Sequence, residues 1–288
     1  MQAHSEYNLK LYFTIAYSAT LLLWLTGAYV SFRHPSGALR PGLYNAVMFS
    51  GLSAPFVVSV SMILASRDRE LLRSYLRRMV NPKLIQPGTA AVFLLFMPMV
   101  ILASVLISIL LGEPVTQFEL AEHPAGGGGL APFAITLMLA ATVEELGWRG
   151  YAFEGLETRY GFFRASIILG MLWSVWLLPL LLVTGSHPHG LMLQSPWLAV
   201  NFYLGIVPIS FLISWVYVKN GNSLIAAVLF HGALIICGEA LSLTPLARVI
   251  QNVVMAVVAT GVVLTDRELF FHTEHSRQAK MPLSRRSI

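Results

Sequence analysis

The sequence predicts an all-α polytopic bundle of about eight transmembrane helices, and three observations carry that prediction. Hydrophobic residues make up 56% of the 288-residue chain and charged residues only 11%, with a mean hydropathy of +0.68. A soluble domain carries roughly 25% charged residues, so this chain lacks the polar surface to meet water on every side. The apolar residues also gather into runs of about twenty, the length that crosses a hydrocarbon core. Finally, an eight-span arrangement puts sixteen of the nineteen lysines and arginines on one side of the membrane, the asymmetry that marks cytoplasmic segments.

The spans are expected at 12–32, 44–66, 89–111, 131–151, 165–184, 198–218, 223–241 and 246–265. Gly51, Pro55 and Pro98 fall inside spans, where neighbouring helices can absorb the disruption. On the inner side lie Lys10, the six basic residues from Arg67 to Lys83, then Arg149, Arg159 and Arg164, then Lys219, and five from Arg267 to Arg286. Only Arg33, Arg40 and Arg248 lie outside. Both termini are therefore expected in the cytoplasm.

The net charge of +5 does not point to nucleic acid, because the basic residues flank apolar runs. The single cysteine, Cys237, excludes an intrachain disulfide and a multi-cysteine metal site, and it sits in an apolar run as a packing residue. The first apolar segment is too long for a signal peptide, and no small-x-small pattern follows it before Arg33 and His34. The chain reads as one integral membrane domain, 1–288, with a motif-bearing core at about 131–240 and a polar, basic tail at 266–288.

Residues 67–80 read as an amphipathic helix in the inner interface, its arginines facing anionic lipid. Residues 112–130 form an outer loop with Glu113, Glu119, Glu122 and four glycines at 126–129. The glycine run reads as flexible and not as a phosphate loop, since no Lys-Ser or Lys-Thr follows. No internal repeat is evident.

Chemistry concentrates in span four, in Glu144-Glu145-Leu-Gly-Trp148-Arg149-Gly-Tyr151. An acidic residue near the bilayer centre costs about 2.5–3.5 kcal/mol even on the mildest scale, so such residues default to a functional reading. Glu145 and Arg149 are four apart and can pair on one helix face. Glu144 is rotated by about 100° and needs a different partner or a proton. Span seven carries His231, roughly 12 Å in from its inner end, at nearly the depth of Glu144, roughly 10 Å in. The competing reading is structural: Glu145–Arg149 locks a helix end, Glu144 reaches toward the interface, and His231 is a packing residue. His187 and His189 fall in an outer loop and are too few to hold a metal alone. Glu144, Glu145 and His231 make three ligands for a single divalent metal on paper, but adjacent helix residues diverge and no ligand motif supports one. Neither HExxH nor Gly-x-Ser-x-Gly occurs.

The run Glu144-Glu145-Leu-Gly-Trp-Arg149-Gly-Tyr-Ala-Phe153 resembles the EExxxR motif of the CPBP family of CAAX-protease and bacteriocin-processing (Abi) membrane proteins, whose members are intramembrane metalloprotease-like. Asn222-Ser-Leu-Ile-Ala-Ala-Val-Leu-Phe-His231 resembles the stretch leading into that family's third motif. The resemblance covers roughly 131–240. It implies an intramembrane endopeptidase acting on a membrane-associated peptide or protein, with Glu144 as general base, His231 as oxyanion donor, and Glu145 and Arg149 in support. The family's second motif, FxxxH, aligns with Trp173 to Leu177, and its third, HxxxN or HxxxD, aligns with His231 to Ile235. Leu177 and Ile235 thus stand where polar residues are expected, and Trp173, Leu177 and Ile235 are expected to line the pocket. Ser174 is near enough in sequence to stand in. Three readings follow: an endopeptidase, a catalytically impaired member that binds as an immunity or scaffold protein, and a transporter using Glu144 as a proton site.

Overall fold

The computed structural model describes residues 7–33, 41–121 and 130–271. Among them the regular structure is helical, apart from one isolated antiparallel bridge between Leu120 and Leu241. In order, the helices are α1 (Leu9–Arg33), α2 (Pro41–Ala65), α3 (Arg69–Val80), α4 (Pro87–Leu110), α5 (Leu130–Gly147), α6 (Phe153–Leu177), α7 (His187–Gln194), α8 (Pro196–Lys219), α9 (Leu224–Ala240), α10 (Pro245–Thr265) and α11 (Arg267–Phe271). A π turn, Trp148–Ala152, joins α5 to α6.

Helices α1, α2, α4, α8 and α10 are each long and apolar enough to cross a membrane, as is the 52-residue stretch Ala131–Leu182. That stretch is not one rod. At 1.5 Å per residue, Glu144 and Trp173 would lie about 43 Å apart, yet their side chains meet at 2.7 Å. The helical path breaks at Gly161, where φ is 76° and ψ is 165°, a conformation open to a residue without Cβ. With the parts of that stretch before and after Gly161 counted separately and the shorter apolar α9 included, the chain makes eight passes. It is an integral, multi-pass membrane protein.

Contacts define two ends of the bundle. At the α3 end, Gln86 N donates to Asn220 Oδ1 (2.8 Å), Arg159 donates to Tyr7 O (2.9 Å), and Lys219 pairs with Asp266 (2.8 Å). At the opposite end, Thr244 Oγ1 donates to Gln117 Oε1 (3.0 Å) and Thr184 N donates to Ser31 Oγ (3.2 Å). The start of α1 and the end of α10 share the α3 end, as an even number of passes requires.

Pro55, in the middle of α2, shows how neighbours absorb a helix defect. Its missing N–H leaves the carbonyl of Gly51 without its usual partner. Thr20 Oγ1 of α1 donates to that carbonyl at 2.8 Å and accepts from Trp176 Nε1 of α6 at 2.9 Å. The defect thereby ties three helices together.

Several boundaries differ from the sequence expectation. Span four does not end at 151: the helical path runs through the π turn into α6, so Arg149 is not at a helix edge but fully buried. Span five gives way at Leu177 to a 3-10 segment, Leu178–Leu182, with Pro179 near its start. The expected loop around His187 contains α7, whose Ser186 side chain caps His189 N at 3.2 Å. The 67–80 segment is helical over Arg69–Val80 and begins at Asp68, which accepts from Glu70 N and Leu71 N. Arg69, Arg73 and Arg77 are exposed, but Arg78 is buried, so this arginine does not face lipid. The glycine run and the tail from 272 onward lie outside the described residues.

Candidate active site

The site forms where α5 ends. Glu144 is 7% exposed, and Glu145 and Arg149 are 0% exposed. A π turn widens the helix by one residue and recurs at functional sites; here it carries Arg149. Close approach of α2 makes the position before it a glycine: a Cβ on Gly147 would lie 2.6 Å from the Pro55 carbonyl carbon. Beside it, the Trp148 ring packs against Tyr12, Phe13 and Trp176.

Each charge has a defined counterpart. Arg149 Nη1 donates to Glu145 Oε1 at 2.9 Å, and its Nη2 donates to Ser210 O (3.1 Å) and Ser210 Oγ (2.9 Å) on α8. The guanidinium also lies over the Trp173 ring, 5.1 Å from its centroid, within cation–π range. Trp173 Nε1 donates to Glu144 Oε2 at 2.7 Å. His231, 3% exposed, meets the same indole edge-on, with centroids 5.1 Å apart at 83°. Its Nδ1 lies 2.8 Å from Glu145 Oε1, but off the direction a ring N–H needs, so this is an electrostatic contact and not a hydrogen bond. One tryptophan from α6 therefore joins the acid of α5, the arginine of the π turn and the histidine of α9.

The structure thus gathers Glu144, Glu145, Arg149, Trp173 and His231 from distant parts of the chain. Glu144 finds the partner that helical geometry demanded, but that partner is an indole and not a second ionisable group. Leu177 is buried, and Tyr203 Oη donates to its carbonyl at 3.2 Å. Ile235 lines a cavity on the far side of His231. Ser174 donates to Tyr203 O at 3.0 Å, so its hydroxyl is committed to α8 and does not take over the role of Leu177. His189 Nδ1 bonds with Leu181 O at 2.8 Å, whereas His187 faces Glu239 at 3.8 Å; the two do not converge.

Sequence reasoning missed three contributors. Ser210 carries no local signal for its bond to Arg149. The hydrogen-bonding role of Trp173 was not evident from its place in the motif. The third is a clamp beneath the π turn. Tyr75 Oη of α3 donates to Leu146 O (3.2 Å), and Arg78 Nη2 donates to Gly150 O (3.3 Å). Arg78 Nη1 pairs with Glu154 (2.9 Å), and Asn222 donates to the same carboxylate (2.9 Å). Burial alone would lower the Arg78 pKa, but Glu154 and Tyr217 raise it above the ordinary arginine value. The guanidinium stays charged, and α3 is fastened to the turn that bears Arg149.

A metal does not fit these side chains. Among the described residues no three His, Cys, Asp or Glu side chains cluster as a ligand set would. Glu145 Oε1 is shared by Arg149 and His231, and Glu144 is turned onto Trp173.

An eight-pass bundle with an acid, an arginine and a histidine buried around one indole defines a polytopic membrane protein with a sheltered polar site. Residues 127–236 match the family model for Rce1-like type II CAAX prenyl endopeptidases. The chain is 40% identical over 266 residues to CAAX prenyl protease 2 of Methanococcus maripaludis, covering 92% of this chain and 97% of that protein. It is 26% identical over 181 residues to lysostaphin resistance protein A of Staphylococcus epidermidis, covering 63% of this chain and 43% of that one. The chain belongs to the Rce1-like CAAX prenyl protease family, a family of membrane endopeptidases.

Proposed function

We propose that the chain hydrolyses a peptide bond of a membrane-associated, lipidated substrate, with Glu144 as general base and His231 as oxyanion donor. The observation that carries this reading is the shared indole: Trp173 holds the Glu144 carboxylate by a hydrogen bond and packs edge-on against the His231 ring. Glu144 takes a proton from water as the oxygen attacks the peptide carbonyl. His231 donates to the oxygen that becomes negative. The C–N bond then breaks, and Glu144 returns its proton to the leaving amine. Glu145 and Arg149 hold the histidine and the turn in place. In this reading the α3 end faces the cytoplasm, and Arg69, Arg73 and Arg77 meet anionic headgroups.

A second reading is favoured by Leu177 and Ile235. Loss of one oxyanion donor costs about 3–4 kcal/mol in known hydrolases, and a missing group to orient water should cost a similar amount. A chain so depleted would bind its lipidated partner without cutting it. Purified protein incubated with prenylated, membrane-anchored peptides separates the two. The first reading predicts cleavage that disappears in Glu144→Ala and in His231→Ala. Absence of cleavage with peptide binding intact establishes the second reading and overturns the first.

A further inference from the structure

We infer that the cavity between α7, α8, α9 and α10 is a hydrated vestibule that brings water toward the site from the bundle end opposite α3. The inference rests on the hydrolytic reading for its purpose, but hydration stands on observations of its own. Hydrolysis consumes one water per bond, and Glu144 and His231 are 7% and 3% exposed, so water must reach them through the protein.

The cavity has a volume of about 140 Å³. A water molecule occupies roughly 30 Å³ of liquid, so there is room for several. Its mouth carries His187, Glu239 and Arg248, with Glu239 facing both His187 (3.8 Å) and Arg248 (3.6 Å). Farther in stand three amides: Asn201, Gln251 and Asn252. Asn252 donates to Asn201 O at 2.8 Å. Gln251 Oε1 is buried with no partner among the described residues. A buried acceptor without a partner costs about 1–3 kcal/mol, and water is the donor that a roomy polar cavity supplies. At the inner limit the lining turns apolar with Leu234 and Ile235, the turn of α9 that follows His231. Ile235 thus stands between the vestibule and the site and narrows the passage.

Hydroxyl-radical footprinting of the full chain in lipid nanodiscs tests this, because the radicals form in water and oxidise neighbouring methionines. Met97 and Met255 line the cavity and are 3% and 0% exposed, whereas Met99 is 66% exposed on the outside of α4 and faces hydrocarbon. The vestibule predicts that Met97 and Met255 oxidise faster than Met99, inverting the order of exposure. Gly238→Leu, which fills the cavity beside Met97, lowers both rates several-fold. Ile235→Ala widens the passage and raises oxidation of His231. If Met97 and Met255 stay intact at a dose that oxidises Met192, the cavity is dry and the inference fails. It fails equally if Gly238→Leu changes nothing, or if His231 is oxidised no faster in Ile235→Ala. None of these readouts depends on peptide cleavage, so their failure is distinct from failure of the hydrolytic reading.

Discussion

Leu177→His and Ile235→Asn, introduced together, are expected to raise peptide cleavage by at least about 10²–10³-fold, the factor associated with one preorganised oxyanion donor alone. The geometry supports the repair. Leu177 follows Trp173 by four residues, so both lie on one face of α6, and Trp173 reaches Glu144 from that face. A histidine at 177 therefore sits about one turn, 5.4 Å, farther along the same side. Ile235 follows His231 by four residues on α9 and already borders an open cavity, so an asparagine there has space for its amide. Initial rates on a membrane-anchored peptide measure the gain, and thermal unfolding verifies that the variant is folded. A folded double variant no faster than the parent chain would show that these two positions do not limit turnover.

Arg149→Ala is expected to cost about 3–5 kcal/mol of stability, because it leaves the Glu145 carboxylate buried without its counter-charge. Both side chains are 0% exposed, so water cannot substitute for the guanidinium. Arg149→Lys is expected to fall between the two, since an ammonium lacks the planar fork that reaches Glu145 and Ser210 at once. Removing both charges with Glu145→Leu and Arg149→Met should recover part of the loss, because a buried pair is more costly to break than to replace. Unfolding midpoints in detergent rank the four chains. An Arg149→Ala protein as stable as the parent would contradict the buried pair.

The pass count was legible because hydropathy reports solvent directly: a bilayer demands long apolar helices. Pairing of Glu145 with Arg149 was legible because it is local, set by four-residue spacing on one helix. Glu144 and His231 do meet around Trp173, but the depth count that paired them started from a span end at 151 that the helical path runs past. What sequence did not show depends on which helices become neighbours. Arg78 reads like its exposed neighbours Arg69, Arg73 and Arg77, yet Glu154, 76 positions on, draws it inside. Ser210 looks like any small helix residue until α8 lies beside the π turn. The turn itself leaves no clear mark in Trp148–Ala152, whereas the reversal at Gly161 falls in the stretch between 151 and 165 where a connection between two spans was expected.

Cleavage of a lipidated peptide in ¹⁸O-labelled water, followed by mass spectrometry, tests the central claim most directly. The intact chain should release a product with one ¹⁸O in its newly formed carboxyl group, and Glu144→Gln, which keeps the size and polarity of the side chain but cannot accept the water's proton, should release none. Undiminished label incorporation by Glu144→Gln would mean that the chemistry belongs to another part of the molecule.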